Sequence, residues 1–463
     1  MNKQTNDSTP VRPAIPDELQ DSLTKIIAYS GIEKEKADLF RANVESFISL
    51  KDKYAVNTQV LKMKETVGNV FFEIYGLVAK RVWAEKNSSR LYQMFLNYAY
   101  MDERLMKPEH IIDLYNASPL DQELFSIHTM KNWLEKICTA EKDPSVNEFE
   151  QDYFDIFREK KKRGELTESD KAAYERDADA RLSHETEGLL KIGQRLCYGK
   201  TSGYFPILYS EILPGDISRL LVKASRINEC LAKITRVDFS LFHRETVYYN
   251  TEKNISSSLI MKPVWPDIIL VPGFGTKGSM WQELTGRAKN SPARFLCPIL
   301  TDENLEHLII EIVAKFRWQL AKTMSSGTIN RAYEKSLYAD YSNYIQGFKK
   351  NQQLSEEAKR KIKTQIDRKR NFIGEIFADD YQIWVNFESQ GLLRLNKVVR
   401  GILFQYCPFA KPLRENLMNH PQFNQIISQF EFAHNKNRQR LQNVYKNLSL
   451  DEDLKDNLAY YEM

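Results

Sequence analysis

A chain of 463 residues has room for roughly two to three domains of about 150 residues each. Its 66 basic and 62 acidic residues leave a net +4, which supplies no global field for nucleic acid or an anionic membrane. Glycine (18) and proline (16) together make about 7% of the chain, against roughly 12% in average usage, so tight turns are few and helices are favoured.

Residues 1–16, MNKQTNDSTPVRPAIP, have neither a basic n-region nor an apolar h-region and read as a disordered tail rather than a signal. From Asp17 to about Ala140 the pattern is helical, giving an N-terminal helical domain over 17–140. VFFEIYGLVAKRVW and LYQMFLNYAY are dense in large apolar groups at three- and four-residue spacing, and Pro108 in KPEHIIDLY suits a first helical turn. The most apolar helix candidate, Val67 to Trp83, carries Glu73, Lys80 and Arg81 and falls short of the ~20 apolar residues a span requires. No membrane span and a cytoplasmic location are therefore expected.

Residues 141–187 form a charged helical connector. Phe149, Tyr153 and Phe157 recur every fourth residue, Gly164 breaks the helix, and Glu159 and Glu165 dilute the KKKR run into a solvated face. The strand signals fall within a small α/β segment over 188–302: VDFSLFH, TVYYN, SSLIMKPV, DIILV and RFLCPIL. Beyond Asp302 the chain returns to helix, as in NLEHLIIEIVAKFRWQLAKTM, and 355–388 reads as one very long helix. The expected fold is mainly α-helical with a small α/β segment in the middle (about 188–302), α+β overall. The helical region 303–463 is expected to pack on that segment.

Four of the eighteen glycines lie between Gly273 and Gly286, three of them in PDIILVPGFGTKGSMWQEL. Gly273-x-Gly275-x-x-Gly278 after a strand and before a helix has the context of a dinucleotide fingerprint, with Asp302 as a ribose ligand. Against this, Ser279-x-x-Gln282 has the form of a capping box, and Glu283 would repel an anion at the helix end. GQRLCYGKTSG ends like a P-loop in Gly199-Lys200-Thr201, but five residues rather than four separate Gly193 from Gly199.

Glu303, His307 and Glu311 share one helix face opposite Leu308, Ile309, Ile312 and Phe316, which is the pattern of exposed i,i+4 pairing rather than of a metal site. The seven Lys/Arg between Ala358 and Arg370 form the positive shoulder of an amphipathic helix, with Glu356 and Glu357 to pair them, so nucleic acid is not favoured. Cys138, Cys197, Cys230, Cys297 and Cys407 contain no CxxC and read as reduced, mostly buried thiols. No catalytic constellation, metal site or cofactor is evident.

IILVPGFGTKGSMWQEL resembles the oxyanion loop of α/β-hydrolases over about 17 residues. Pro272 stands where that family usually has histidine, and no G-x-S-x-G nucleophile elbow exists in the chain. PDIILVPGFGTKGSMWQEL, FRWQL and RLNKVVRGILFQYCPFAKPLREN together resemble an uncharacterised family of bacterial proteins over residues 90–440. Some members of that family carry cyclic-nucleotide-binding-type labels, although the cyclic-nucleotide phosphate cassette is absent here.

These readings favour a non-enzymatic intracellular protein that binds a protein partner or a regulatory ligand. An alternative is a regulator that holds a nucleotide or other phosphate-bearing ligand on Gly273, Gly275, Lys277, Gly278 and Ser279, with backbone amides and Lys277 supplying the contacts. A second alternative is a divergent α/β-hydrolase-like enzyme.

Overall fold

The computed structural model describes residues 17–49, 58–99, 125–142, 162–165, 177–196, 216–250, 255–281, 293–326, 336–446 and 448–463. Asp267–Phe274 (β4), DIILVPGF, is apolar on both faces, and all eight residues are buried. Such a strand must be covered on both sides, as in a parallel sheet between helical layers. It pairs in parallel with Ser126–Thr129 (β1) on one side and with Arg294–Leu300 (β6) on the other. Ser279–Trp281 (β5) adds an antiparallel edge, so the order is β1-β4-β6-β5.

Side-chain alternation along β4 sorts the two faces. On the Asp267/Ile269/Val271 face lie Met130–Cys138 (α5) and Ala178–Leu196 (α6), where Gly193 brings α6 close to Val271. Arg90–Tyr98 (α4) also packs on β4, and α6 packs in turn on Thr58–Glu85 (α3), which is joined by Asp17–Ser30 (α1) and Lys34–Ile48 (α2). On the other face, Phe295 of β6 meets Phe316 of Leu305–Ser326 (α9), with ring centroids 5.4 Å apart. Ile217–Leu220 (α7) leads to Ala224–Val237 (α8), which packs on α9.

The C-terminal helices follow as Leu337–Gly347 (α10), Glu356–Arg368 (α11), Ile373–Asn386 (α12), Lys397–Tyr406 (α13), Lys411–Leu417 (α14), Asn424–Tyr445 (α15) and Glu452–Tyr460 (α16). One continuous apolar core runs from Leu19 to Ile427. A separate hairpin, His243–Asn250 (β2) and Ile255–Pro263 (β3), packs on α16 through a small second core of Tyr248, Ile260, Tyr445 and Leu454. The protein is thus mainly helical with a small mixed sheet in its middle. No helix among the described residues is long and apolar enough to cross a membrane.

Several sequence expectations need correction. The stretch 17–140 is not helical throughout, because SIHT at 126–129 is a strand; four residues are too few for a period to show, and the neighbouring β4 decides their state. VDFSLFH is not a strand: Val237 ends α8, and 239–242 form a turn whose Phe239, Leu241 and Phe242 enter the core. The stretch 355–388 is two helices, broken where Arg370 and Asn371 take φ of 51° and 63°. That reversal brings Arg368 and Lys369 back onto Asp379 at 2.6 and 2.9 Å.

Helix α6 begins at Ala178 and so crosses the 187/188 boundary between the expected connector and the α/β segment. Gly164 does adopt a helix-breaking φ of 73°. The tail 1–16, the helix turn at Pro108, the Phe149/Tyr153/Phe157 repeat and Gly199-Lys200-Thr201 lie outside the described residues.

Two buried polar knots hold these layers. Asp267, 4% exposed, accepts from Lys142 at 3.0 and 3.2 Å and lies 3.3 Å from His128 Nε2. His128 lies two residues before α5 and Lys142 follows it, so one carboxylate fastens both ends of that segment to the central strand. The second knot is Arg317 of α9, which donates to Ser240 Oγ (2.8 Å), to the Ser240 carbonyl (3.2 Å) and to the Tyr406 carbonyl, beside the fully buried Asp238 at 3.6 Å. Tyr381 of α12 donates to Asp238 at 3.0 Å, so the ends of α8 and α13 meet α9 and α12 there.

Burial opposes ionisation of Asp267, but the hydrogen bond from His128 and the Lys142 charge outweigh it and hold the carboxyl below its usual range. A lowered carboxyl stabilises the fold above the ordinary carboxylate pKa, and that contribution is lost as pH falls through its own lower value. Asp267→Asn should therefore cost about 3 kcal/mol at pH 7, as broken buried pairs do. In urea melts the gap to the wild type should narrow steadily below about pH 4; a gap that stays constant into acid would refute this account.

Candidate functional site

The glycine loop after β4 lies at the carboxyl end of the parallel strands, where open α/β sheets commonly bind ligands. Here that edge is filled. Gly273 sits in a bulge at φ 134°, a backbone that glycine adopts readily. The Gly275 amide donates to the Leu300 carbonyl at 2.9 Å and the Thr276 amide to the Leu196 carbonyl at 3.1 Å. A Cβ on Gly275 would lie 2.8 Å from Pro298, and one on Gly278 would lie 2.1 Å from the Ile312 side chain of α9.

These glycines let the chain pass closely between α6, β6 and α9. The Gly275 and Thr276 amides are used within the fold and are not presented to a phosphate or an oxyanion. Ser279 is not a helix cap: it begins β5, opposite Leu296. The helix expected beyond it falls on 282–292, outside the described residues. Lys277 is exposed at the surface of the loop.

The other expected groups also resolve locally. Glu311 bonds Lys315 at 2.7 Å, His307 is exposed 3.4 Å from Gln382, and the Glu303 amide donates to Thr301. Among the described residues no group of three or more His, Cys, Asp or Glu is placed to hold a metal ion. On α11, Lys359 pairs with Glu356 and Lys361 with Glu357, each at 2.9 Å, while Ile362 is buried.

A different place has the form of a site. Between α3 and α6 lies a cleft of about 690 Å³, within the usual size range for small-molecule sites. Asp177 caps α6 by accepting from the amides of Asp179 and Ala180 at 2.9 and 3.3 Å. On the α5 side of α6, Trp133 Nε1 donates to the buried Glu185 at 2.6 Å, and Arg294 stacks 5.2 Å from the Trp133 ring. Those contacts set the rotation of α6, so that Asp179, Leu182, Ser183, Thr186 and Glu187 line the cleft.

The opposite wall is α3, with Asn69, Phe72, Glu73, Gly76, Leu77 and Lys80. Lys80 and Asp179 join the walls at 2.7 Å, and Glu73 is paired with Lys36 of α2 at 2.9 Å. Thr186 is only 2% exposed, and its hydroxyl has no hydrogen-bond partner among the described residues. Helix-interior threonines ordinarily return that bond to the preceding turn.

A family model described as a domain of unknown function (DUF8509) matches residues 327–460, under a third of the chain. No curated protein and no solved structure matches it. The matched segment spans α10 to α16, whereas both walls of the cleft lie outside it.

Sequence reasoning missed the cleft because Asp179 to Glu187 read as part of a solvated connector and VFFEIYGLVAKRVW as plain core. The available signal was Gly76, a glycine in the middle of an otherwise strong helix. An unbonded buried hydroxyl costs stability, typically about 1–3 kcal/mol. Thr186→Val, which keeps the shape, should raise the stability of the unliganded protein by about 1 kcal/mol, whereas Lys277→Ala should stay within about 0.5 kcal/mol. Urea titration measures both; a destabilised Thr186→Val would show that the hydroxyl is already satisfied.

Proposed function

We propose that this protein acts by binding rather than by catalysis, and that the α3/α6 cleft receives a small regulatory ligand. The observation that carries this reading is Gly76. It lies in the interior of a 28-residue helix, where glycine costs about 1 kcal/mol relative to alanine. Among the described residues nothing lies within 4 Å of where its Cβ would be, so no close packing there calls for a glycine. What its missing side chain does is leave the floor of the cleft open.

The thiols support the same reading. Burial raises those of Cys230, Cys297 and Cys407, with Cys297 pushed up to about 12, so they stay protonated and out of reach as nucleophiles. The nucleotide reading of the 273–279 loop has less support, since the Gly275 amide such a ligand would use is already bonded within the fold.

Gly76→Ala should stabilise the fold by about 0.5–1 kcal/mol in urea titration while leaving binding intact. Gly76→Trp should fold normally but fill the cleft. In a thermal-shift screen of small metabolites, compounds that stabilise the wild type should lose that effect in Gly76→Trp. Equal stabilisation of both proteins by every hit would remove the cleft from consideration.

A further inference from the structure

We infer that Asp380 works as a proton-operated clasp: when neutral it holds helix α11 against α10 and α12, and when ionised it loosens that helix. Asp380 lies on α12 and is 5% exposed. One of its carboxyl oxygens accepts from the Tyr341 hydroxyl of α10 at 2.6 Å, and the other accepts from the Gln365 side-chain amide of α11 at 3.3 Å. Both donors are uncharged. Tyr341 is itself buried; burial, with the Asp380 charge adding to it, raises its hydroxyl well above the ordinary tyrosine range, so it remains a donor.

The charged groups of the surrounding elements are engaged elsewhere. Arg368 and Lys369, at the end of α11, bond the neighbouring Asp379 at 2.6 and 2.9 Å. On α9, Lys315 pairs with Glu311 at 2.7 Å and with Glu375 at 3.4 Å, Arg317 lies against Asp238, and the exposed His307 is 3.4 Å from Gln382. On α13, Arg400 pairs with Glu388 at 2.6 Å. On α10, Tyr344 accepts from Asn396 at 2.8 Å and Asp340 accepts from Tyr406 at 2.6 Å. Among the described residues no cation pairs with Asp380.

A carboxylate buried among neutral donors is costly to ionise. Burial pushes the Asp380 carboxyl up to about 6; the hydrogen bonds from Tyr341 and Gln365 oppose the rise, and the Asp379 charge adds to it. When α11 lifts away, Gln365 leaves with it, and the carboxyl returns toward its ordinary value near ~4. The docked form therefore holds the proton more tightly. Docking weakens as pH rises from about 4 to about 6 and loses little more above that.

Helix α11 is suited to such movement. Ile362 is its buried side chain, Ala358 and Ile366 are partly buried, and the left-handed Arg370 and Asn371 join it to α12. Elements held by few buried contacts open locally at low free energy.

Hydrogen exchange of the full chain tests this, read as protection factors so that the intrinsic pH dependence of exchange cancels. The α11 amides should be about five- to tenfold less protected at pH 7 than at pH 5, with little further change between pH 7 and pH 8. Asp380→Asn, which keeps the shape without the charge, should be equally protected at pH 5 and pH 7. Gln365→Lys, which gives the carboxylate a cation and so keeps it ionised throughout, should also be level. Glu356→Gln/Glu357→Gln, at the exposed start of α11, should keep the wild-type drop.

Equal protection of wild-type α11 at pH 5 and pH 7 overturns the proposal. So does a drop that persists in Asp380→Asn or, if that variant does not fold, in Gln365→Lys, because it then belongs to another group such as His307.

Discussion

The side chain on which the site depends most is Asp267, at the buried start of the central strand. By holding His128 before α5 and Lys142 after it, this carboxylate fixes a short strand and helix against β4. Helix α5 then presents Trp133, whose indole nitrogen bonds Glu185 and so sets the rotation of α6. The rotation of α6 decides which of its residues face α3. A charged group in the core thus determines, through two packing steps, the lining of a cleft on the far side of α6. The energetic logic is that of any buried charge: once its partners are present it is stable, and removing any one leaves the others desolvated and unpaired.

Arg317 plays a similar part on the opposite face of the sheet. Its guanidinium gathers Ser240, the Tyr406 carbonyl and Asp238 at one point, and Tyr381 closes the set. A planar fork of donors suits that role better than a lysine would, because several acceptors must be met in fixed directions. The C-terminal helices are tied to the sheet layer there. FRWQL and the segment ending in Tyr406, which are separate in sequence, meet at this point.

The two glycine-bearing segments differ in what surrounds them. At 273–278 the absent side chains admit neighbouring atoms: Pro298 approaches Gly275, and Ile312 approaches Gly278. At Gly76 no described residue takes the space. The first arrangement serves packing, and the second leaves the helix surface open among the described residues. A cluster of glycines is conspicuous in a sequence, yet a single glycine on a helix facing open space is the more informative one.

The mainly helical class, the strands DIILV and RFLCPIL, the amphipathic character of α9 and the bend at Gly164 were legible in the sequence, because each depends on local periodicity or on the conformational preference of one residue. Tertiary structure decided the rest. SIHT became a strand because β4 offered an unpaired edge, and the 355–388 stretch folded back because Arg370 and Asn371 adopted left-handed conformations that let Arg368 and Lys369 reach Asp379. The loop at 273–279 was filled by residues from α6, β6 and α9 that no local pattern relates to it. The cleft was assembled from a helix that read as core and another that read as a solvated connector. Periodicity shows which face of a helix is apolar; which neighbour covers the remaining faces, and where none does, is fixed only when distant segments pack.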